Sequence, residues 1–90
     1  LKLLVDSFGY ERRVYMNYIL LGFHEFVTKY QGQYKRNMLV KRLQNVGFNT
    51  LDMKAKEFRQ VHGGSYPKNV RMALVYFYNK NRKEKHQLSL

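Results

Sequence analysis

The sequence predicts a small, mainly α domain of three or four helices, and three observations carry that expectation. Ninety residues suffice for one core and no more. An apolar fraction of 44% with eight Tyr and six Phe is enough to fill it. Apolar residues recur at helical spacing in three successive stretches, each closed by glycine. No internal repeat or linker divides the chain. Order is expected over about residues 6–80, with 81–90 a basic tail.

The first element runs from about Tyr10 to Tyr30. Met16, Leu20, Phe23, Val27 and Tyr30 form an apolar stripe that Ile19 and Phe26 widen, and Arg13, Asn17, His24 and Thr28 fall opposite. Asp6, Ser7 and Gly9 are the N-cap candidates. This stretch reads as the central core helix. The second element, about Tyr34 to Val46, places Leu39, Leu43 and Val46 at i, i+4 and i+7 beside Met38. Gly47 stands where a left-handed C-cap is wanted, with Phe48 as its apolar contact.

Asn49 or Thr50 is expected to cap a third helix over about Leu51 to His62, which buries Leu51, Ala55 and Phe58. Gly63-Gly64 ends it, and Ser65-Tyr66-Pro67 reads as a turn. The last element has two readings. Val70, Ala73, Leu74 and Phe77 fit a helix, whereas Val75-Tyr76-Phe77-Tyr78 has the content of a strand and would give a β-hairpin within 65–78.

Charge points to the class of partner. Residues 1–30 carry four Lys or Arg against three acids; residues 31–90 carry thirteen against Asp52, Glu57 and Glu84, so +10 of the net +11 lies there. Self-repulsion on that scale is usually neutralised by a polyanion. The basic residues are dispersed over several elements instead of lining one amphipathic helix, which puts a membrane surface last. No apolar run approaches the ~18 residues of a span. The absence of Cys excludes disulfides and thiolate zinc sites and favours a reducing, intracellular setting, cytoplasm or nucleoid or nucleus. The chain opens at Leu1 without a recognisable signal peptide, as a fragment or processed product would.

Two short helices joined by Val46-Gly47-Phe48-Asn49-Thr50 resemble the helix-turn-helix superfamily over residues 35–62. The turn glycine, the flanking apolar residues and the polar outer face of the second helix carry the likeness. Arg42 and Lys56 depart from it, since the family usually keeps those positions apolar. The resemblance implies binding of double-stranded DNA, with a winged variant if 65–78 form a hairpin. The role would be that of a transcriptional regulator or an accessory protein of a replication, transfer or recombination complex. An ordinary αα-hairpin would give the same pattern.

On the DNA reading, Arg59 and Gln60 suit base edges, while Lys54 and Lys56 suit phosphates. Lys35, Arg36, Lys41 and Arg42 form a second basic set. Lys68 and Arg71 would grip backbone from a wing tip, and Lys80, Arg82 and Lys83, with Lys85, form a phosphate-contacting tail. Dimers on paired half-sites are common among such domains, and exposed Tyr or Leu of the first or last helix would serve that interface. An RNA-binding module of a ribonucleoprotein and a basic bundle facing an acidic protein remain the alternatives. Tyr34, Tyr66, Tyr76 and Tyr78 stand among basic residues, as base-stacking platforms do, although half-buried packing is the stronger explanation.

Catalysis finds little in the residues. His24, His62 and His86 have no metal-ligand spacing, and His24 reads as a partly buried helix residue. Gly63-Gly64 lacks the Gly-Lys-Ser/Thr context of a phosphate loop. The expectation is a non-enzymatic domain with neither metal nor cofactor.

Overall fold

The computed structural model describes residues 2–10 and 12–90. Among them are five α-helices: α1 (Lys2–Phe8), α2 (Asn17–Lys29), α3 (Arg36–Val46), α4 (Phe48–His62) and α5 (Tyr66–Asn79), with 3-10 turns at Arg12–Tyr15 and Glu84–His86. No strand occurs among the described residues, so of the two readings of the last element the helix holds, as α5, and the alternative hairpin wing within 65–78 does not form. Three to four helices become five.

α5 explains why its sequence reads two ways. Val70, Met72, Ala73, Leu74, Val75, Phe77 and Tyr78 are all buried. A helix apolar on nearly every side belongs in the middle of a bundle, and α5 packs against α2, α3 and α4. The central helix is therefore α5, not the 10–30 stretch. Ser65 caps it by accepting from the Lys68 amide at 3.2 Å, and Pro67 sits in its first turn, so 65–67 starts the helix instead of forming a separate turn.

The expected helix over 10–30 is broken. Met16 takes an extended backbone (ψ 140°), and α2 begins after it. α1, which ends before this stretch, brings Phe8 to Phe23 at 6.3 Å and to Phe48 at 5.7 Å, edge to face. Packing of this kind overrides a local pattern that runs on unbroken. Asp6 and Ser7 lie inside α1 and Gly9 follows it, so none of them caps α2. The buried face of α2 is Ile19, Gly22, Phe23 and Phe26, continued by Tyr30; Met16 and Val27 are exposed. At Gly22 a Cβ would lie 2.5 Å from Val70 Cβ, so the glycine sets how closely α2 and α5 approach.

Gly47 alone separates α3 from α4 and caps both. Its φ of 84° and ψ of 164° lie in a region essentially restricted to glycine, unlike the left-handed helical cap expected. α4 therefore starts at Phe48, three residues earlier than expected, and neither Asn49 nor Thr50 caps it. Because a Cβ there meets nothing within 4 Å, Gly47→Ala isolates backbone strain. We expect it to cost about 1–3 kcal/mol, read as a lower midpoint of urea unfolding.

The 81–90 stretch is docked, not a free tail. Asn79 brackets Leu88, donating to its carbonyl at 2.8 Å and accepting from its amide at 2.7 Å, and Leu88 is buried. The Tyr30 hydroxyl donates to the Ser89 carbonyl at 2.6 Å.

Candidate nucleic-acid interface

The structure reorganises the four basic sets. α3 has no acidic residue. Its Arg42 shares a groove with Asn45, Val46, Phe77, Lys80 and Asn81, which joins α3 to the end of α5. Arg82 strengthens the junction: its guanidinium lies 4.7 Å from the Tyr78 ring centre and donates to Met38 Sδ at 2.9 Å. The 35–42 and 80–83 sets, far apart in sequence, thus form one surface. Lys80 lines the groove, and Lys41 and Lys83, on the same two segments, are exposed; none of the three has an acidic partner among the described residues. Lys80 and Lys83 also follow the C-terminus of α5, where the helix dipole favours cations.

Arg36 differs from its neighbours. It pairs with Asp6 at 2.5 Å and ties α3 to α1. Lys35 stands exposed at the N-cap of α3, its amide donating to the Tyr78 hydroxyl at 2.9 Å. Lys68 and Arg71, expected at a wing tip, lie in the first half of α5. Lys68 is exposed and Arg71 is half-buried, donating to the Tyr30 hydroxyl at 3.3 Å.

The expected reading set on α4 is more encumbered than its sequence implies. The Lys54 ammonium lies 3.1 Å from Glu57 and 4.5 Å from the Tyr76 ring centre. Lys56 lies 3.1 Å from Asp52. Arg59 stacks on Tyr66 at 4.4 Å and donates from Nε to the Gly64 carbonyl at 3.3 Å. Gln60 is exposed. Beside it the solvent face of α4 presents Asn49, Met53, Lys56, Glu57 and Val61, with Met53 and Val61 about 70% exposed. Asn49 accepts from Arg13 at 2.6 Å, and Arg13 lies over Phe48.

Some of these partners had a signal in the sequence. Asp52–Lys56 at i,i+4 and Lys54–Glu57 at i,i+3 are spacings that pair on any helix. Asn45 and Asn81, which complete the Arg42–Lys80 groove, had none, because only the fold brings them there. Of the residues suited to a dimer contact, Tyr10, Leu21 and Tyr76 are exposed.

Tyr18 donates to Asp52 at 3.1 Å, and burial, reinforced by that carboxylate, pushes its phenol up to about 12. Burial also raises Tyr34. Because the unfolded Tyr18 ionises near 10, its contribution is complete below pH 10 and is lost as pH climbs towards 12. The stability advantage of the wild type over Tyr18→Phe should therefore hold up to about pH 10 and shrink as pH rises from there towards about 12 in thermal melts. His24, expected to be partly buried, is exposed on α2, and His62 lies 5.9 Å from Phe58.

No helix among the described residues is long and apolar enough to cross a membrane. No protein-family model matches the chain, and no curated protein or solved structure matches it either.

Proposed function

We propose that this domain binds nucleic acid, double-stranded DNA first, through the surface that α3 shares with residues 80–83. The observation that carries the reading is the meeting of Arg42 and Lys80 in one groove lined by no acidic residue, with Arg82 tied to Met38 of α3 beside it and Lys41 and Lys83 exposed on the same two segments. Like charges gathered in this way repel, and a phosphate backbone relieves them.

α4 is the candidate reading helix. Gln60 has the amide chemistry that pairs with adenine, and Met53 offers an apolar contact for a thymine methyl, whereas Asn49 is held by Arg13. Arg59 is held at its loop by Tyr66 and Gly64, so Gln60 takes over the base-edge role that the sequence shared between them. The single-residue break at Gly47 is tighter than the three- or four-residue turn of a helix-turn-helix. The proposal therefore rests on charge and exposed side chains more than on that resemblance. A transcriptional or replicative role belongs to the same proposal.

Neutralising about six phosphates predicts a slope near −5 for log affinity against log salt on random duplex. A flat response would remove the phosphate contacts and the proposal with them. A protein partner is the second reading, favoured by an apolar groove of about 350 Å³ that includes Phe58, Met72, Val75 and Tyr76, with Lys80 also on its wall. That reading predicts nucleic-acid binding that vanishes near physiological salt.

A further inference from the structure

We infer that the concavity between the end of α4 and the start of α5 is a phosphate cradle centred on Arg59. It has a volume of about 330 Å³ and is lined by Lys56, Arg59, Gln60, Gly63, Gly64 and Tyr66. It lies at the opposite end of α5 from Lys80, about 20 Å away at 1.5 Å per helical residue.

The guanidinium is fixed before any ligand arrives. Tyr66 supports its face, and Nε spends its hydrogen on the Gly64 carbonyl. Four N–H groups on Nη1 and Nη2 remain, in the planar fork that matches two oxygens of a phosphate. The ammonium of Lys68 stands over the loop: a Cβ at Gly64 would lie 3.7 Å from its Nζ. Lys56 also lines the wall, but its ammonium is paired with Asp52, so Arg59 and Lys68 supply the positive charge of the site.

The loop itself is braced from beneath. Asn69, fully buried, donates from Nδ2 to the carbonyls of Gly63 at 2.9 Å and Ser65 at 2.8 Å, so both carbonyls point into the protein. No peptide bond among the described residues is cis. Across a trans peptide the next N–H points opposite to the carbonyl, so the amides of Gly64 and Tyr66 turn outward, at two residues that line the concavity. Among the described residues neither amide has a hydrogen-bond acceptor. Two outward amides and a preset guanidinium make the donor set of an anion nest, and cations at its rim select phosphate over chloride.

The test follows amide resonances of the 90-residue chain while sodium phosphate replaces sodium chloride at constant ionic strength. The cradle predicts saturable shifts of the Gly64 and Tyr66 amides. Arg59→Ala should weaken that binding about 10- to 100-fold, Arg59→Lys should weaken it less, and Lys83→Ala, in the other basic surface, should leave it unchanged. Two further arms separate the sources of the phosphate. A hairpin duplex with a 5′-hydroxyl offers backbone diesters, and the same hairpin with a 5′-phosphate adds a terminal monoester.

Shifts of these two amides in any arm, lost in Arg59→Ala, support the cradle and assign its source. Absence of shifts in every arm overturns it, as does an undiminished response in both Arg59 variants. Binding of inorganic phosphate without any duplex affinity would retain the cradle while removing the function proposed above.

Discussion

Replacing Lys41, Lys80 and Lys83 together by Ala should lower duplex-DNA affinity roughly 500-fold at about 0.1 M salt, with the fold intact. The size follows from counterion release, since each neutralised phosphate adds about 0.9 to the log–log salt slope. Giving up three phosphates therefore removes about 2.7 decades between 1 M and 0.1 M salt, and the slope should fall from near −5 to between about −2 and −3. All three side chains are exposed, so their removal leaves the core untouched. The control is Lys2→Ala with Arg12→Ala, two exposed cations outside the surface. Fluorescence anisotropy should show the triple variant crippled and the control nearly wild type. Comparable losses in both would mean that net charge, and not the α3–α5 surface, governs binding.

The second large effect concerns stability. Phe26→Ala should cost about 3–5 kcal/mol, a large part of the ~5–15 kcal/mol that holds a domain of this size. The ring is fully buried, and its centre lies 5.0 Å from those of both Tyr30 and Tyr34. Its loss opens a cavity and also frees Tyr30, whose hydroxyl binds Ser89 and Arg71. The melting temperature should fall by about 15–30 °C. Val27, the next residue, belongs to the same stripe in the sequence yet is 38% exposed. Val27→Ala should cost under about 1 kcal/mol. Equal losses at the two positions would contradict the orientation in which α2 buries Phe26 and turns Val27 to solvent.

Much of the fold was legible because local chemistry and tertiary structure agree. Leu39, Leu43, Leu51 and Ala55 occupy the core as their spacing predicts, and Gly47 and Gly63 end helices where expected. The exceptions have tertiary causes. The apolar pattern crosses the break at Met16 undisturbed. The 81–90 stretch reads as a tail because its anchor, the pair of hydrogen bonds between Asn79 and Leu88, leaves no periodic trace. The strand-like content of 75–78 belongs to a helix surrounded on nearly every side, and periodicity cannot separate those cases over so short a run.

The candidate site was half legible. Residue types and net charge pointed to a polyanion, and every nominated cation lies on α3, α4, α5 or the segments that flank them. The partition among them was hidden. Arg36 spends its charge on Asp6, Lys54 on Glu57 and Lys56 on Asp52. The groove shared by Arg42 and Lys80 exists only once α3 lies against the end of α5. Charge counted along a chain measures the demand for an anion; where that demand is met depends on which cations the fold leaves unpaired.

The measurement that bears most directly on the central claim is a comparison of partners at matched ionic strength. Random duplex DNA, single-stranded DNA and a structured RNA would each be titrated by anisotropy from low to physiological salt. Tightest binding to duplex DNA, retained at physiological salt, is the expected result. Preference for the RNA, or loss of all binding at physiological salt, would contradict it.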